Sequence, residues 1–290
     1  MVVSEIIEAF ILSGIAYIKP GCMHRFSEER ELIDYITLGP KLFNTLNKAV
    51  ELGEKVALGK IGAPTANIGT LLSDTLKNIG GRLAKNMVFY DSTLVLTMIA
   101  LASSHALAMY KRNVDESRIE RSLKMFLMSS TGKDSSALVH VTRTIGPTPY
   151  IALLNQADYT RTKIELEDIS LYEIFYALSS KSTSFKSLID FTLVANTVKT
   201  IRKYYETVKD LNNSLVSAYV SLILETPPLP TWARRDLETV LKEGAMVSKG
   251  SAKKLFEIDR KLRREKISFN NLLPVLTAAT AISLILKYVA

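Results

Sequence analysis

Apolar residues recur at every third or fourth position through most of the chain, which is the spacing of one face of an α-helix. Between residues 42 and 57, for example, Leu42, Leu46, Ala49 and Gly53 share one face. Gly (13) and Pro (9) are scarce, and their shortage favours long helices joined by short loops. The pattern predicts an all-α fold: a single compact bundle of about ten to twelve helices in one domain over residues 1–290.

Start and stop signals refine several of these helices. Pro40 is suited to the first turn of a helix, and Ser170 with Glu173 forms a capping box. Asp91 or Ser92 is placed to cap a long apolar helix that reaches about Arg112. Further helices are predicted at 185–210, which is the longest polar-faced one, and at 232–242, 251–265 and 271–289.

The region 129–148 has the weakest helical pattern. It is rich in Ser, Thr and Gly, and residues 139–145 alternate like a strand. One short strand has no partner in this sequence, so the stretch is interpreted as helix or extended loop. A mobile loop over a site is the functional interpretation of the whole region.

The cysteine count and the apolar segments indicate the cellular compartment of the protein. A single cysteine, Cys22, excludes an internal disulfide framework and suits a reducing environment. The first helix carries Glu5 and Glu8 and lacks the basic start of an export signal. The most span-like segment, 272–289, is interrupted by polar residues and shorter than a span needs, which favours a buried core helix. We therefore expect a soluble, cytoplasmic protein without a membrane partner.

The net charge of +8 invites a nucleic-acid hypothesis. Basic residues are dense only in the stretch 253–264, where Glu257 and Asp259 interleave with them and Glu265 follows. Such interleaving is typical of a solvated helix face, and a spaced set of aromatic side chains for stacking is missing. Nucleic acid is not the expected partner.

The sequence does not match the phosphate-loop motif or the spacing of a metal site. The stretch 130–135 contains a Gly132–Lys133 pair, but Leu127 and Asp134 stand where a phosphate loop needs Gly and Ser or Thr. The histidines are His24, His105 and His140, and only Cys22 with His24 has the close spacing of metal ligands, so no metal site is predicted. His105, on an apolar helix, is interpreted as a core residue and only as a weak catalytic candidate.

Two loop segments remain as candidates for a binding site. In the first, residues 19–26, Lys19, His24 and Arg25 project from a bend made by Pro20 and Gly21. In the second, residues 62–69, Thr65 is placed to cap a following helix whose free N–H groups favour an anion. Each alone is typical of an ordinary loop, but together they predict a phosphate pocket.

At these residues the sequence resembles the triphosphoribosyl-dephospho-coenzyme A synthase family, in particular its archaeal branch. Lys19-Pro20-Gly21 followed by His24-Arg25-Phe26 is similar to the family's Lys-Pro-Gly-Asn-x-His-Arg-Phe signature. The segment 65–72 resembles its Asn-Thr-Asn-Leu-Gly-x-x-Leu-Leu block, 94–110 a helix with Thr-Thr-x-x-Asp-Ala, and 276–280 the Leu-Thr-Ala-Ala-Ser after a terminal Asn-Pro-Gly-Thr-x-Ala-Asp.

The resemblance implies an all-helical fold and a pentosyl transfer. In the family reaction ATP loses adenine, and its ribosyl triphosphate moves to 3′-dephospho-coenzyme A. The implied substrate-binding residues, assigned to phosphate, are Lys19, His24, Arg25, Thr65, Asn67 and Gly69. ATP is the implied substrate, with magnesium on its phosphates.

The sequence departs from the family where the chemistry is expected. Cys22 replaces the signature Asn, Ala66 the second block's Thr, and His105 the helix aspartate, while Pro274-Val275-Leu276 offers no terminal carboxylate. The expected magnesium ligands are missing, so transferase activity is either lost or carried by other groups. The alternatives are a non-catalytic paralogue that binds a nucleotide or coenzyme A, and a helical interaction protein without a small ligand. The oligomeric state stays open, a dimer included.

Overall fold

The computed structural model describes residues 2–26, 30–111, 113–226 and 228–289. No strand occurs in these ranges, which confirms the all-α prediction. Three short 3₁₀ helices lie at Ala63–Thr65, Ala245–Val247 and Asn270–Leu272. The α-helices are α1 Val2–Ile15, α2 Arg30–Ile36, α3 Leu38–Ala57, α4 Ile68–Ile79, α5 Gly81–Ala84, α6 Met87–Tyr110, α7 Glu116–Ser129, α8 Gly132–Ile145, α9 Thr148–Gln156, α10 Arg161–Leu166, α11 Leu171–Ser179, α12 Thr183–Ile189, α13 Thr192–Val208, α14 Leu211–Glu225, α15 Thr231–Lys242, α16 Lys249–Arg264 and α17 Leu273–Ile285.

The seventeen α-helices in the described ranges exceed the predicted count. Short helices such as α2, α5 and α10 have too few turns for a periodicity search. The predicted helix 185–210 is two helices, because the chain turns at Asp190 and Phe191. Its end is the left-handed Lys209, and Asn212 and Asn213 lie in the first turn of α14 instead of breaking a helix.

The interpretation of 129–148 as a mobile loop is wrong, since α8 occupies most of it, and of the two interpretations given for residues 139–145 the helix is confirmed. A capping box at Thr131 and Asp134 starts this helix, and Leu138, Val139, Val141 and Thr142 are buried. Tertiary packing of these residues overrides the alternation of β-branched side chains in residues 139–145. The capping box predicted at Ser170 and Glu173 is confirmed.

Helix α6 runs through the centre of the protein and packs against α3, α7 and α17. Its predicted cap is corrected: Asn86 accepts hydrogen bonds from the N–H groups of Val88 and Phe89. Asp91 lies inside the helix, where it accepts hydrogen bonds from Tyr150 (2.6 Å) and Ser182 (2.6 Å). The predicted end at Arg112 lies outside the described residues.

Two helices, α6 and α17, are strongly apolar, and both lie in the core. Among the described residues only α6 is long and apolar enough to cross a membrane, and 83% of its most apolar stretch is buried inside the protein. Helix α17 is buried along its whole length, as predicted for a core helix. It packs against α1, so the two ends of the chain meet in one hydrophobic core.

Candidate functional site

The segment 19–26 leaves α1 and folds back over its carboxyl end. Lys19 is fully buried, and its ammonium donates to the carbonyl oxygens of Ser13 (2.6 Å), Gly14 (2.9 Å) and Ala16 (3.4 Å). These carbonyls would otherwise lack partners, because the last carbonyls of a helix have no intrahelical donor. Burial lowers the pKa of Lys19 to about 8, although the nearby Cys22 thiol opposes the shift. Lys19 therefore faces inward and holds the carboxyl end of α1, a role that we call a helix clasp.

Arg25 reinforces the same helix end from outside. Its Nε donates to the carbonyl oxygen of Ile15 at 3.0 Å, and its guanidinium lies 5.2 Å from the centre of the Tyr17 ring. Unlike Lys19, Arg25 is exposed. A part of its charge is therefore available at the surface.

His24 is buried against α16. Its Nδ1 accepts from the N–H of Phe26 at 3.2 Å, and its Nε2 lies 3.3 Å from Oδ2 of Asp259. A neutral ring with its proton on Nε2 satisfies both contacts. The ring is thus held by the protein itself.

Asp259 is the centre of the contact between the segment 19–26 and α16. It accepts from the N–H of Gly21 (2.9 Å) and from Nε of Arg263 (2.8 Å). Burial works to raise the pKa of Asp259, but the hydrogen bonds from His24, Arg263 and Gly21 outweigh it and hold the pKa below its usual range. Gly21 has a positive φ of 69°, a conformation that favours glycine at this bend.

Residues near the carboxyl end of the chain complete this surface. The N–H of Phe269 donates to the carbonyl of Gly21 at 2.7 Å, and Asn270 accepts from the N–H of Met23 at 2.8 Å. Arg263 also donates to the carbonyl of Cys22 at 2.8 Å. We call the surface formed by residues 19–26, α16 and residues 265–270 the signature face.

The signature face carries a cleft of about 290 Å³. Its lining includes Gly21, Cys22, Ser268 and Asn270, with Arg263 and Lys266 as its cations. Lys266 is exposed. The cleft therefore offers backbone and amide groups next to positive charge, a combination that suits an anion.

The second predicted segment lies elsewhere. The N–H of Gly69, in the first turn of α4, donates to Oδ1 of Asp134 at 2.8 Å, so a carboxylate of the protein occupies the predicted anion position. A Cβ on Gly69 would lie 2.0 Å from the carbonyl oxygen of Asp134, because α4 and α8 cross closely there. The helix start is thus closed by α8.

Thr65 does not cap α4 as predicted. The Thr65 hydroxyl donates back to the carbonyl of Gly62 at 2.9 Å, and Asn67 adopts a left-handed conformation without a capping bond from its side chain. No hydrogen bond or ion pair of the described residues joins this segment to residues 19–26. Lys19 and Arg25 share the carboxyl end of α1, next to His24 in the chain, whereas Gly69 bonds to α8 and the 3₁₀ helix that contains Thr65 packs against α7.

His105 lies between α6 and α7. Its Nδ1 is 2.9 Å from the Ser122 hydroxyl, and its ring packs edge-on against Phe126. Burial lowers its pKa, which keeps the ring neutral. These contacts are those of a hydrogen-bonded core histidine.

Magnesium does not fit the donor set of the signature face. Both oxygens of Asp259 already accept hydrogen bonds, one from Gly21 and the other from Arg263 and His24. No group of three or more His, Cys, Asp or Glu side chains suitable for a metal occurs in the part of the chain that the structure describes. Hard cations need several oxygen ligands, and the buried carboxylate at the centre of this face is already engaged by three donors.

Sequence reasoning missed Asp259, Arg263, Lys266 and Asn270 as residues of this face. Asp259 and Arg263 are spaced i, i+4 and point to a common face of α16, but they look like an ordinary surface ion pair. The burial of Asp259 under residues 19–26 is a tertiary contact without a local signal.

Comparison with known proteins yields no match, whether with family models, curated proteins or solved structures.

Proposed function

We propose that this chain binds a phosphate-bearing small molecule of the adenine nucleotide or coenzyme A class at the signature face, without transferring its pentosyl group. One observation carries the proposal. Residues 19–26, which resemble the first block of the triphosphoribosyl-dephospho-coenzyme A synthase family, bond through Gly21 and Met23 to Phe269 and Asn270, which lie just before the segment 276–280 that resembles its terminal block. They meet beside a cleft with two cations.

Aromatic side chains on the same face support an adenine base. Phe26 is 48% exposed and Phe256 is 38% exposed, and their ring centres are 5.4 Å apart. Tyr17 packs edge-on against Phe26 at 4.8 Å. Exposed aromatic faces beside an arginine stack nucleic bases favourably.

The order of groups along α16 suits an extended nucleotide. Phe256 and Arg263 are seven residues apart, so they lie roughly 10 Å apart along the helix axis and on the same side of it. In the proposed arrangement the base lies on Phe26 and Phe256, and the phosphates face Arg263, Lys266 and Arg25. Arg25 keeps its bond to Ile15 while its exposed charge faces the ligand.

Transfer is not part of the proposal, because it needs groups that this face lacks. Breaking the N-glycosidic bond builds positive charge on the sugar and calls for a carboxylate near the ring and an acid for adenine. Asp259 is engaged by three donors, and His105 is engaged by Ser122. ATP is therefore proposed as a ligand without turnover, and magnesium is not expected to strengthen its binding.

The proposal places the protein in the cytoplasm as a divergent, non-transferring relative of that family. Its partner is a small molecule, with no nucleic acid and no membrane. The dense basic residues of α16 support this, since Lys254 pairs with Glu243 (2.7 Å) and Arg263 with Asp259. Basic residues that are already paired within the protein contribute little to binding a nucleic-acid backbone.

Calorimetric titration with ATP, 3′-dephospho-coenzyme A and coenzyme A tests the binding. The Arg25→Ala and Lys266→Gln variants should each weaken it about tenfold, the effect of losing one charge-assisted contact. Lys203→Gln removes the same charge from an exposed position on α13 and should leave the affinity unchanged. Equal affinities in all four proteins would reject the signature face, and no heat with any ligand would favour a helical interaction protein.

Chromatography of adenine tests the absence of transfer. Incubation with ATP, magnesium and 3′-dephospho-coenzyme A should release adenine very slowly or not at all, because losing one acid–base group alone lowers a rate about a hundred- to ten-thousand-fold. Brisk release that depends on magnesium would show that other groups carry the chemistry.

A further inference from the structure

A second charged feature lies on α8, far along the chain from the residues of the signature face. Lys133, Ser136, His140 and Arg143 follow one another at spacings of three, four and three residues. Residues at such spacings share one face of a helix. Here that face is turned toward the short helix α10.

Helices α8 and α10 enclose a groove of about 430 Å³ between them. Arg161, Ile164 and Glu165 of α10 form the opposite wall, and Ala137 contributes to the floor from α8. This volume is in the range of pockets that hold small ligands. We call it the α8–α10 groove.

The charge of the groove is unbalanced. Three permanent cations, Lys133, Arg143 and Arg161, face one carboxylate, Glu165. The bond from Arg161 (2.9 Å), followed by that from Ser136, holds the pKa of Glu165 below its usual range, so this carboxylate stays ionised. Arg161 is thereby partly neutralised, while Lys133 and Arg143 lack an equivalent partner among the described residues.

Arg143 is partly buried in the α8 wall of the groove. Its Nε is buried and has no hydrogen-bond partner within the described ranges. Buried donors of charged groups are normally satisfied by an acceptor. Because this atom has almost no accessible surface, an anion in the groove would meet the exposed part of the Arg143 guanidinium instead.

We propose that the α8–α10 groove is a binding site for the phosphoryl group of a small phosphorylated ligand. Arg143 presents a planar donor pair of the kind that binds phosphate in two contacts, and Lys133 adds a point charge. Ser136 and His140 lie between them on the same helix face and supply further polar contacts. Ile164 and Ala137 leave an apolar strip for the organic part of a phosphate ester.

This site is independent of the signature face, because the two share no residue. Glu165 also disfavours a highly charged polyanion at the α10 wall, so a phosphate monoester fits the charge better than a triphosphate. The ester and free inorganic phosphate share the same recognised group. The groove would distinguish them only through the apolar strip.

Titration with inorganic phosphate and with a sugar phosphate such as glucose 6-phosphate, at constant ionic strength, tests the proposal. Lys133→Ala and Arg143→Gln should each weaken binding about tenfold or more. Lys203→Ala removes one charge from α13 and should bind as the unchanged protein does. Lys133 is exposed, so its variant should fold normally even if Arg143→Gln proves less stable.

The outcomes distinguish binding at the α8–α10 groove from binding at the signature face. Tighter binding of the ester than of phosphate supports recognition through Ala137 and Ile164, and equal binding supports recognition of the phosphoryl group alone. Lys266→Gln and Arg25→Ala should leave phosphate binding at the groove unchanged while weakening that of ATP. No binding of either probe, or equal loss in Lys133→Ala and Lys203→Ala, would overturn the groove as a site.

Discussion

Replacing Lys19 with methionine tests whether this lysine clasps α1 or is free to bind phosphate. Methionine keeps the long apolar stem and removes the ammonium. The carbonyls of Ser13, Gly14 and Ala16 then lose their donor. A hydrogen bond to a charged group contributes ~1.5–3 kcal/mol, but the charged lysine also carries a cost of burial. We expect a net loss of about 2 kcal/mol at pH 7.

The pH dependence of this loss is more diagnostic than its size. In the unfolded chain Lys19 keeps its proton up to about 10.5, whereas in the folded protein its pKa is about 8. Between these values the unfolded state binds more protons, so the free energy of unfolding rises with pH. Above about pH 8 the lysine is buried without its charge. At pH 10.5 the free energy of unfolding is therefore about 3 kcal/mol higher than at neutral pH.

Chemical denaturation of both proteins between pH 7 and 10.5 measures the effect. Groups that are not coupled to Lys19 titrate in both proteins and cancel in the difference. Cys22 is coupled to Lys19, so the comparison is made with Cys22→Ala in both proteins. The stability gap between the unchanged protein and Lys19→Met should widen as the pH rises. Lys203→Met, at an exposed position, should show neither the loss nor the slope. A gap that stays constant with pH would refute the buried clasp and return Lys19 to the candidate phosphate ligands.

Three further predictions concern the core. Gly69→Ala should destabilise the protein by several kcal/mol because its Cβ would lie 2.0 Å from the carbonyl oxygen of Asp134, whereas Gly62→Ala meets nothing closer than 3.7 Å and should be close to neutral in thermal denaturation. Leu276→Asp, which buries a charge in α17, should yield unfolded or insoluble protein, and the same change at Leu166, which is 80% exposed, should not; a soluble, normally melting Leu276→Asp would contradict the burial. Burial raises the pKa of Asp91 to about 7, so the folded state holds this proton after the unfolded state has released it, and stability falls as the pH rises from about 4 to 7. Asp91→Asn should lack that fall, and an identical pH profile of unfolding in both proteins would show that Asp91 does not titrate this way.

Local patterns predicted much of the fold. Helical spacing and the shortage of Gly and Pro indicated an all-α protein, and the capping box at Ser170 and Glu173 marked the start of α11. The sequence left residues 139–145 of α8 open between helix and extended loop because their β-branched residues alternate, while what fixes the helix is burial against α4 and the cap from Asp134. Packing of that kind leaves no mark at the level of nearby residues.

The candidate site was predicted in part. The bend at residues 19–26 was found from Pro20 and Gly21, but the direction of Lys19 depends on where the end of α1 lies. Asp259 lies 238 residues beyond Gly21, and Asp134 lies 65 residues beyond Gly69. Such long-range contacts decide which polar groups are free, and one sequence does not reveal them.

Hydrogen exchange of the whole protein, with and without saturating ATP, tests the central claim most directly. Bound nucleotide should slow exchange in peptides that cover residues 19–26 and 256–270. When ATP is lowered to near the dissociation constant of the unchanged protein, Lys266→Gln should lose most of the remaining protection, because its binding is about tenfold weaker. Lys203→Gln should retain it. If ATP leaves exchange in these two stretches unchanged, the signature face is not the nucleotide site, and the proposed function fails.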